Sequence, residues 1–130
     1  MQRSESASVV IVEDDPSVSR AFVRILRLAD ISARSYVSGE ALLANETLAG
    51  VGCLVLDVQL PEMSGFELRT RLATMTELPP VVFITAFDTP EARAQALAAG
   101  AAAFLTKPFS GRKLIDTVRQ ALDPTSTEVA

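Results

Sequence analysis

Asp57 closes a short apolar run, Gly52-Cys53-Leu54-Val55-Leu56-Asp57, and a second run, Val9-Val10-Ile11-Val12, ends in three consecutive acids, Glu13-Asp14-Asp15. A buried parallel strand reads as a continuous hydrophobic run, and open α/β sheets place their sites beyond the carboxyl ends of such strands. The acids therefore converge at one edge of a sheet. Carboxylates held close together repel one another unless a cation joins them, so their grouping points to a divalent metal. Two further runs end in complementary chemistry: Thr85 closes Val81-Val82-Phe83-Ile84, and Lys107 lies just past Ala102 to Leu105. One carboxylate as nucleophile, a second to hold a metal against it, and a hydroxyl and an ammonium for the remaining oxygens make a phosphoryl-transfer site. The transition state of that reaction is loose, so positioning and charge neutralisation supply most of the catalysis.

The elements that must carry these residues alternate five times. Strands are predicted at 8–13, 32–36, 52–57, 81–85 and 102–105. The helix predicted at 16–29 has Val18, Phe22, Ile25, Leu26 and Ala29 on one face, with Pro16 in its first turn and Asp15 as its cap. Ser38 opens a second helix with Leu42 and Leu43 inward; the others are predicted at 64–74, 90–99 and 110–122. Gly100 stops the fourth. Leu114, Ile115, Val118, Ala121 and Leu122 form the inner face of the last. Alternation of this kind gives an α/β, doubly wound, five-stranded parallel sheet covered by helices on both faces. One domain at 8–122 is expected, between a flexible N-terminus at 1–7 and a tail or linker start at 123–130.

Composition excludes several other chemistries. The 130-residue chain has no histidine, which removes Ser-His-Asp and Cys-His catalysis, histidine-ligated zinc and phosphohistidine formation on the chain itself. Cys53, the sole cysteine, sits inside an apolar run and reads as a buried, inert thiol. With 12 Lys and Arg against 16 Asp and Glu, direct nucleic-acid binding is not expected. No stretch approaches the ~20 apolar residues that span a bilayer, and a cytoplasmic location is expected.

The chain resembles a response-regulator receiver domain, the phosphorylation module of two-component signalling, over about residues 8–122. The resemblance rests on Glu13-Asp14-Asp15 after the first strand, on Leu56-Asp57-Val58-Gln59-Leu60-Pro61-Glu62-Met63-Ser64-Gly65, on Ile84-Thr85-Ala86 and on Lys107-Pro108-Phe109. It implies the (βα)5, flavodoxin-like fold, with Asp57 as phosphoacceptor and Thr85 and Lys107 as its catalytic partners. Mg²⁺, or Mn²⁺, would be held by Asp14, Asp57, the backbone carbonyl of Gln59 and, often through water, Glu13. The acidic pair is Glu13 with Asp14 or Asp14 with Asp15; the first is preferred because it lies nearer the strand end. The resemblance further implies a cis Lys107-Pro108 bond, an arrangement that only X-Pro permits cheaply, at about 0.5–1 kcal/mol. A flavodoxin-type redox carrier shares the fold class, but Glu13-Asp14-Asp15 would repel a flavin phosphate. A phosphatase of the haloacid dehalogenase type needs an acid two residues after its aspartate, where this chain has Gln59.

What the resemblance implies about output follows from Thr85. Drawn inward by a phosphorylated Asp57, it would leave space for an aromatic residue of the fifth strand, here Phe104, where many relatives carry Tyr. Phe87 and Gln59 would flank the path of the hydrolytic water. The Ala-rich fourth helix, with the fifth strand and last helix, is the face expected to switch. Arg20, Arg24 and Arg27 stripe the first helix, which in receivers meets the histidine kinase or phosphotransfer protein. Residues 97–109 look similar to receivers of LuxR-class transcription factors. Those factors carry a DNA-binding output domain that residues 1–130 do not include, so the chain is expected to be either a stand-alone receiver or part of a longer regulator, and a phosphorylation-dependent homodimer is a further expectation.

Overall fold

The computed structural model describes residues 8–123, so segment 1–7 and nearly all of the expected tail lie outside the described residues. The elements run β1 (Val9–Val12), α1 (Pro16–Leu28), β2 (Ala33–Tyr36), α2 (Gly39–Asn45), β3 (Cys53–Asp57), α3 (Gly65–Ala73), β4 (Val81–Thr85), α4 (Pro90–Ala98), β5 (Ala103–Thr106) and α5 (Gly111–Leu122). The sheet is parallel throughout, in the order β2-β1-β3-β4-β5. Four of the five strands differ from the sequence reading by one residue at one or both ends, β5 running on to Thr106, and the helix bounds differ at caps. Ser64 and Ser110 accept hydrogen bonds from the amides of Glu67 and Lys113, and so stand just outside their helices. No helix among the described residues is long and apolar enough to cross a membrane.

Strand alternation divides the core in two. Val9, Ile11, Cys53, Val55, Val82, Ile84 and Leu105 face α1 and α5, where Phe22, Leu26, Leu114 and Val118 cover them. Val10, Val12, Leu54, Leu56, Val81 and Phe83 face the other layer, which includes Leu42, Leu68, Leu72 and Ala96. Burial in the first layer pushes the Cys53 thiol up to about 12, so it stays protonated and inert. Four of the five helices anchor with large side chains; α4 buries only Ala92 and Ala96, and its Leu97 is 81% exposed. At about 25 cal/mol per Å² of apolar area, two methyl groups hold that helix weakly.

Beside β2 a buried carboxylate ties down a strained turn. Glu46 accepts both nitrogens of Arg34 at 3.0 and 2.9 Å, the Tyr36 hydroxyl at 2.8 Å and the Leu48 amide at 3.2 Å. Leu48 has φ +66°, a left-handed conformation that costs a branched side chain energy and needs such support. Burial pushes the Glu46 carboxyl up, but the bonds from Arg34, Tyr36 and Leu48 outweigh it and hold the group below its ordinary 4.5. A depressed carboxylate contributes stability above its unfolded pKa and loses it as the pH falls through the folded value. Glu46→Gln should therefore cost about 1–3 kcal/mol near neutral pH, discounted for the partly exposed Arg34. Urea unfolding of both proteins should show that gap constant above about pH 5 and closing as the pH drops below about 4.5.

Candidate functional site

Register sets the levels at which the chemical residues leave the sheet. Val12 pairs with Leu56, so Glu13 stands level with Asp57; Asp57 pairs with Ile84, and Thr85 with Thr106, leaving Lys107 one step beyond. Alternation then sorts them by side. Glu13, Asp57 and Lys107 continue the sequence of Ile11, Val55 and Leu105 towards α1 and α5, whereas Thr85 and Phe104 continue that of Phe83 towards the other layer. The first three meet. Lys107 Nζ donates to Glu13 Oε1 and to Asp57 Oδ2, each at 2.7 Å. Both carboxylates are almost fully buried, and Asp14 beside them is exposed.

Glu13, Asp14 and Asp57 each offer one oxygen to a common point, the three lying within 4.8 Å of one another. Asp15 does not join them: its carboxylate accepts from the Ser17 amide at 2.9 Å, the Ser17 hydroxyl at 2.8 Å and the Val18 amide, capping α1. The remaining oxygen of Glu13 accepts the Asp15 amide at 3.1 Å. Burial raises Glu13 above its ordinary 4.5, with Asp57 adding to the rise and Lys107 opposing it. For Lys107 burial acts downward, but the bonds to Asp57 and Glu13 outweigh it, and the ammonium is held above 10.5. The Lys107-Pro108 bond is cis.

The loop after β3 closes tightly over Asp57. Gly65 donates to Val58 O at 3.0 Å, and a Cβ there would strike the Asp57 carbonyl oxygen and lie 3.3 Å from Val58 Cα. Only glycine lets the start of α3 approach so closely. Gln59 reaches two ways from this loop. Its amide donates to Asp57 Oδ1 at 2.8 Å, and its side-chain Oε1 lies 2.8 Å from the Thr85 hydroxyl.

Thr85 itself is fully buried and accepts the Phe87 amide at 3.0 Å, while the Phe87 residue is 64% exposed. Phe104 is half-buried, with the Arg93 guanidinium 5.0 Å from its ring centre. Arg93 also grips both oxygens of Asp88 at 2.6 and 2.7 Å, and the Thr106 hydroxyl donates to Asp88 at 3.0 Å. This clamp joins α4, the loop before it and β5, and nothing in the spacing of Asp88, Arg93 and Phe104 announced it. A separate groove of about 770 Å³ lies along α1 and β2. Arg20, Arg24, Arg27 and Arg34 line it with no acid among its lining residues.

Residues 9–119 match the sequence profile of the response regulator receiver domain. The chain belongs to that family. The response regulator TodT of Pseudomonas putida is 35% identical over 120 residues, which are 92% of this chain and 53% of TodT. DctR of Rhodobacter capsulatus, a C4-dicarboxylate transport transcriptional regulatory protein, is 35% identical over 119 residues, 90% of this chain and 60% of DctR. Among solved structures, a response regulator receiver protein from Burkholderia phymatum is 43% identical and superposes with a TM-score of 0.76, covering 90% of this chain and 95% of that one. The chain spans about half the length of the curated relatives it matches. It is a two-component receiver domain, of a family that typically binds Mg²⁺ in an acidic pocket and works with histidine kinases and output domains.

Proposed function

We propose that Asp57 accepts a phosphoryl group from the phosphohistidine of a histidine kinase or phosphotransfer protein, in a reaction that requires Mg²⁺. The observation that carries this reading is the meeting of Lys107 with Asp57 and Glu13 at 2.7 Å each, beside a third carboxylate. The donor set fits the ion: Glu13, Asp14 and Asp57 are hard oxygen ligands, and the Gln59 carbonyl is the proposed fourth. Mg²⁺ there would neutralise charge on the acceptor and on the transferring phosphoryl group. In the transfer an ionised Asp57 oxygen attacks phosphorus, the P–N bond breaks, and the imidazole leaves with the electron pair. No base is needed, because the acceptor is already a carboxylate. Lys107, held as an ammonium, remains beside Asp57 to bind a phosphoryl oxygen. Hydrolysis by water restores the carboxylate.

The product carries acceptor oxygens that Thr85 can bond, and Phe104 moves into the space behind it. That movement breaks the stack of Arg93 on Phe104, which supplements the slight burial of α4. The α4, β5 and α5 face then changes its preference for a partner: a DNA-binding output domain with transcriptional effect, or a second copy of the domain. The arginine-lined groove beside α1 suits an acidic surface on the phosphodonor protein. Incubation with acetyl phosphate, followed by intact mass, tests the chemistry. One added phosphoryl group with Mg²⁺ and none after chelation is the expected result; no gain at any Mg²⁺ concentration overturns the reading.

A further inference from the structure

We infer that the Gln59 side chain is a latch that holds the Thr85 hydroxyl away from the phosphoacceptor and so sets how readily the domain adopts its phosphorylated conformation. The inference rests on the reading of Asp57 as the acceptor. Thr85 Oγ1 has one proton, and two acceptors face it: Gln59 Oε1 at 2.8 Å and Phe87 O at 3.2 Å. The shorter contact claims it. One lone pair of the same oxygen takes the Phe87 amide at 3.0 Å, so the hydroxyl's only proton is committed, in a residue with no exposed surface. Among the described residues it makes no bond to Asp57.

Gln59 is placed to sense the acceptor directly. Its backbone amide donates to Asp57 Oδ1 at 2.8 Å, so one residue touches the acceptor with its main chain and the switch hydroxyl with its side chain. A phosphoryl group on Asp57 offers charged oxygens that compete with a neutral amide oxygen for the Thr85 proton. Hydrogen bonds to charged acceptors are roughly twice as strong as neutral ones, so the phosphoryl oxygens win. They win by a margin that the latch reduces, because every switched molecule must first give up the Gln59 bond. Gln59 is thus a positioning residue acting through Thr85.

Gln59→Met preserves the length of the side chain and the backbone amide and carbonyl, and deletes the acceptor. At saturating Mg²⁺, fluoroberyllate, which mimics the acyl phosphate on Asp57, should bind this variant about three- to tenfold more tightly than wild type, the worth of one neutral hydrogen bond. On Thr85→Ala the same Gln59→Met change should have no effect, because the latch then holds nothing. The backbone amide shifts at position 85 and at Phe87 report binding in all four proteins. Wild type that fails to bind fluoroberyllate overturns the acceptor reading itself. Wild type that binds, with Gln59→Met equal to it within about twofold or equally improved in the Thr85→Ala background, overturns the latch alone.

Discussion

Asp57→Asn ends phosphoryl uptake entirely while the fold persists. The side-chain oxygen that accepts the Gln59 amide at 2.8 Å survives the change, and so does the shape that fills the space between β3 and Lys107. What disappears is the anionic nucleophile. Intact mass after acetyl phosphate and Mg²⁺ should show no added group on the variant under conditions that load wild type. A persistent gain would place the acceptor elsewhere, with exposed Asp14 the first candidate. Stability moves little or upward. Asp57 contributes to the rise in Glu13, so deleting its charge relieves a buried like-charge contact and leaves Lys107 to pair with Glu13 alone. The thermal midpoint without Mg²⁺ should equal or exceed that of wild type.

The fold was legible because every strand except the edge strand β2, with its Arg34 and Ser35, is built on an apolar run, and each helix carries either an apolar face or a cap. Glu13, Asp57 and Lys107 were legible as strand-end residues for the same reason, and alternation along β1, β3 and β5 puts all three on one side. That Lys107 touches Glu13 as well as Asp57 lies beyond the sequence, because the pair is 94 positions apart and its meeting depends on register across four strands. The preference for Glu13 over Asp15 had a local signal: an aspartate one residue before Pro16 is a helix cap, and the structure uses it so. Gln59 shows the opposite case. Its backbone carbonyl carries a proposed metal-binding role, yet its side chain turns to Thr85, and a rotamer choice leaves no trace in spacing. Gly65 stood inside the motif after Asp57, but its necessity appears only where α3 meets the Asp57 carbonyl oxygen. Phe104 had been expected to fill space on switching; the structure adds Arg93 over its ring, a contact between β5 and a helix that otherwise buries only two alanines.

Lys107→Met separates the two duties of the ammonium and predicts opposite shifts in rate and in metal response. In phosphoryl transfer Lys107 is the sole cation among the described residues that touches Asp57, so its loss removes a charge-assisted bond from the developing phosphoryl charge. Deleting one such preorganised donor costs about 10²–10³ in rate, and uptake from acetyl phosphate should slow by at least about a hundredfold. In the metal-free protein Lys107 has another task, which is to neutralise two carboxylates that are nearly inaccessible to water. Methionine leaves them facing each other without a cation. Because the Lys107 side chain retains 25% exposure, the cost is below that of a fully buried pair, at about 1–3 kcal/mol. Mg²⁺ supplies the missing positive charge, so the rise in thermal midpoint on adding Mg²⁺ should be larger in Lys107→Met than in wild type, although the variant is the slower one. Unfolding with and without Mg²⁺, set beside the uptake rate, checks both halves. Equal Mg²⁺ stabilisation in the two proteins would mean that Lys107 is not the counter-ion of the acidic site when Mg²⁺ is withheld, and an unchanged rate would remove it from the transfer chemistry.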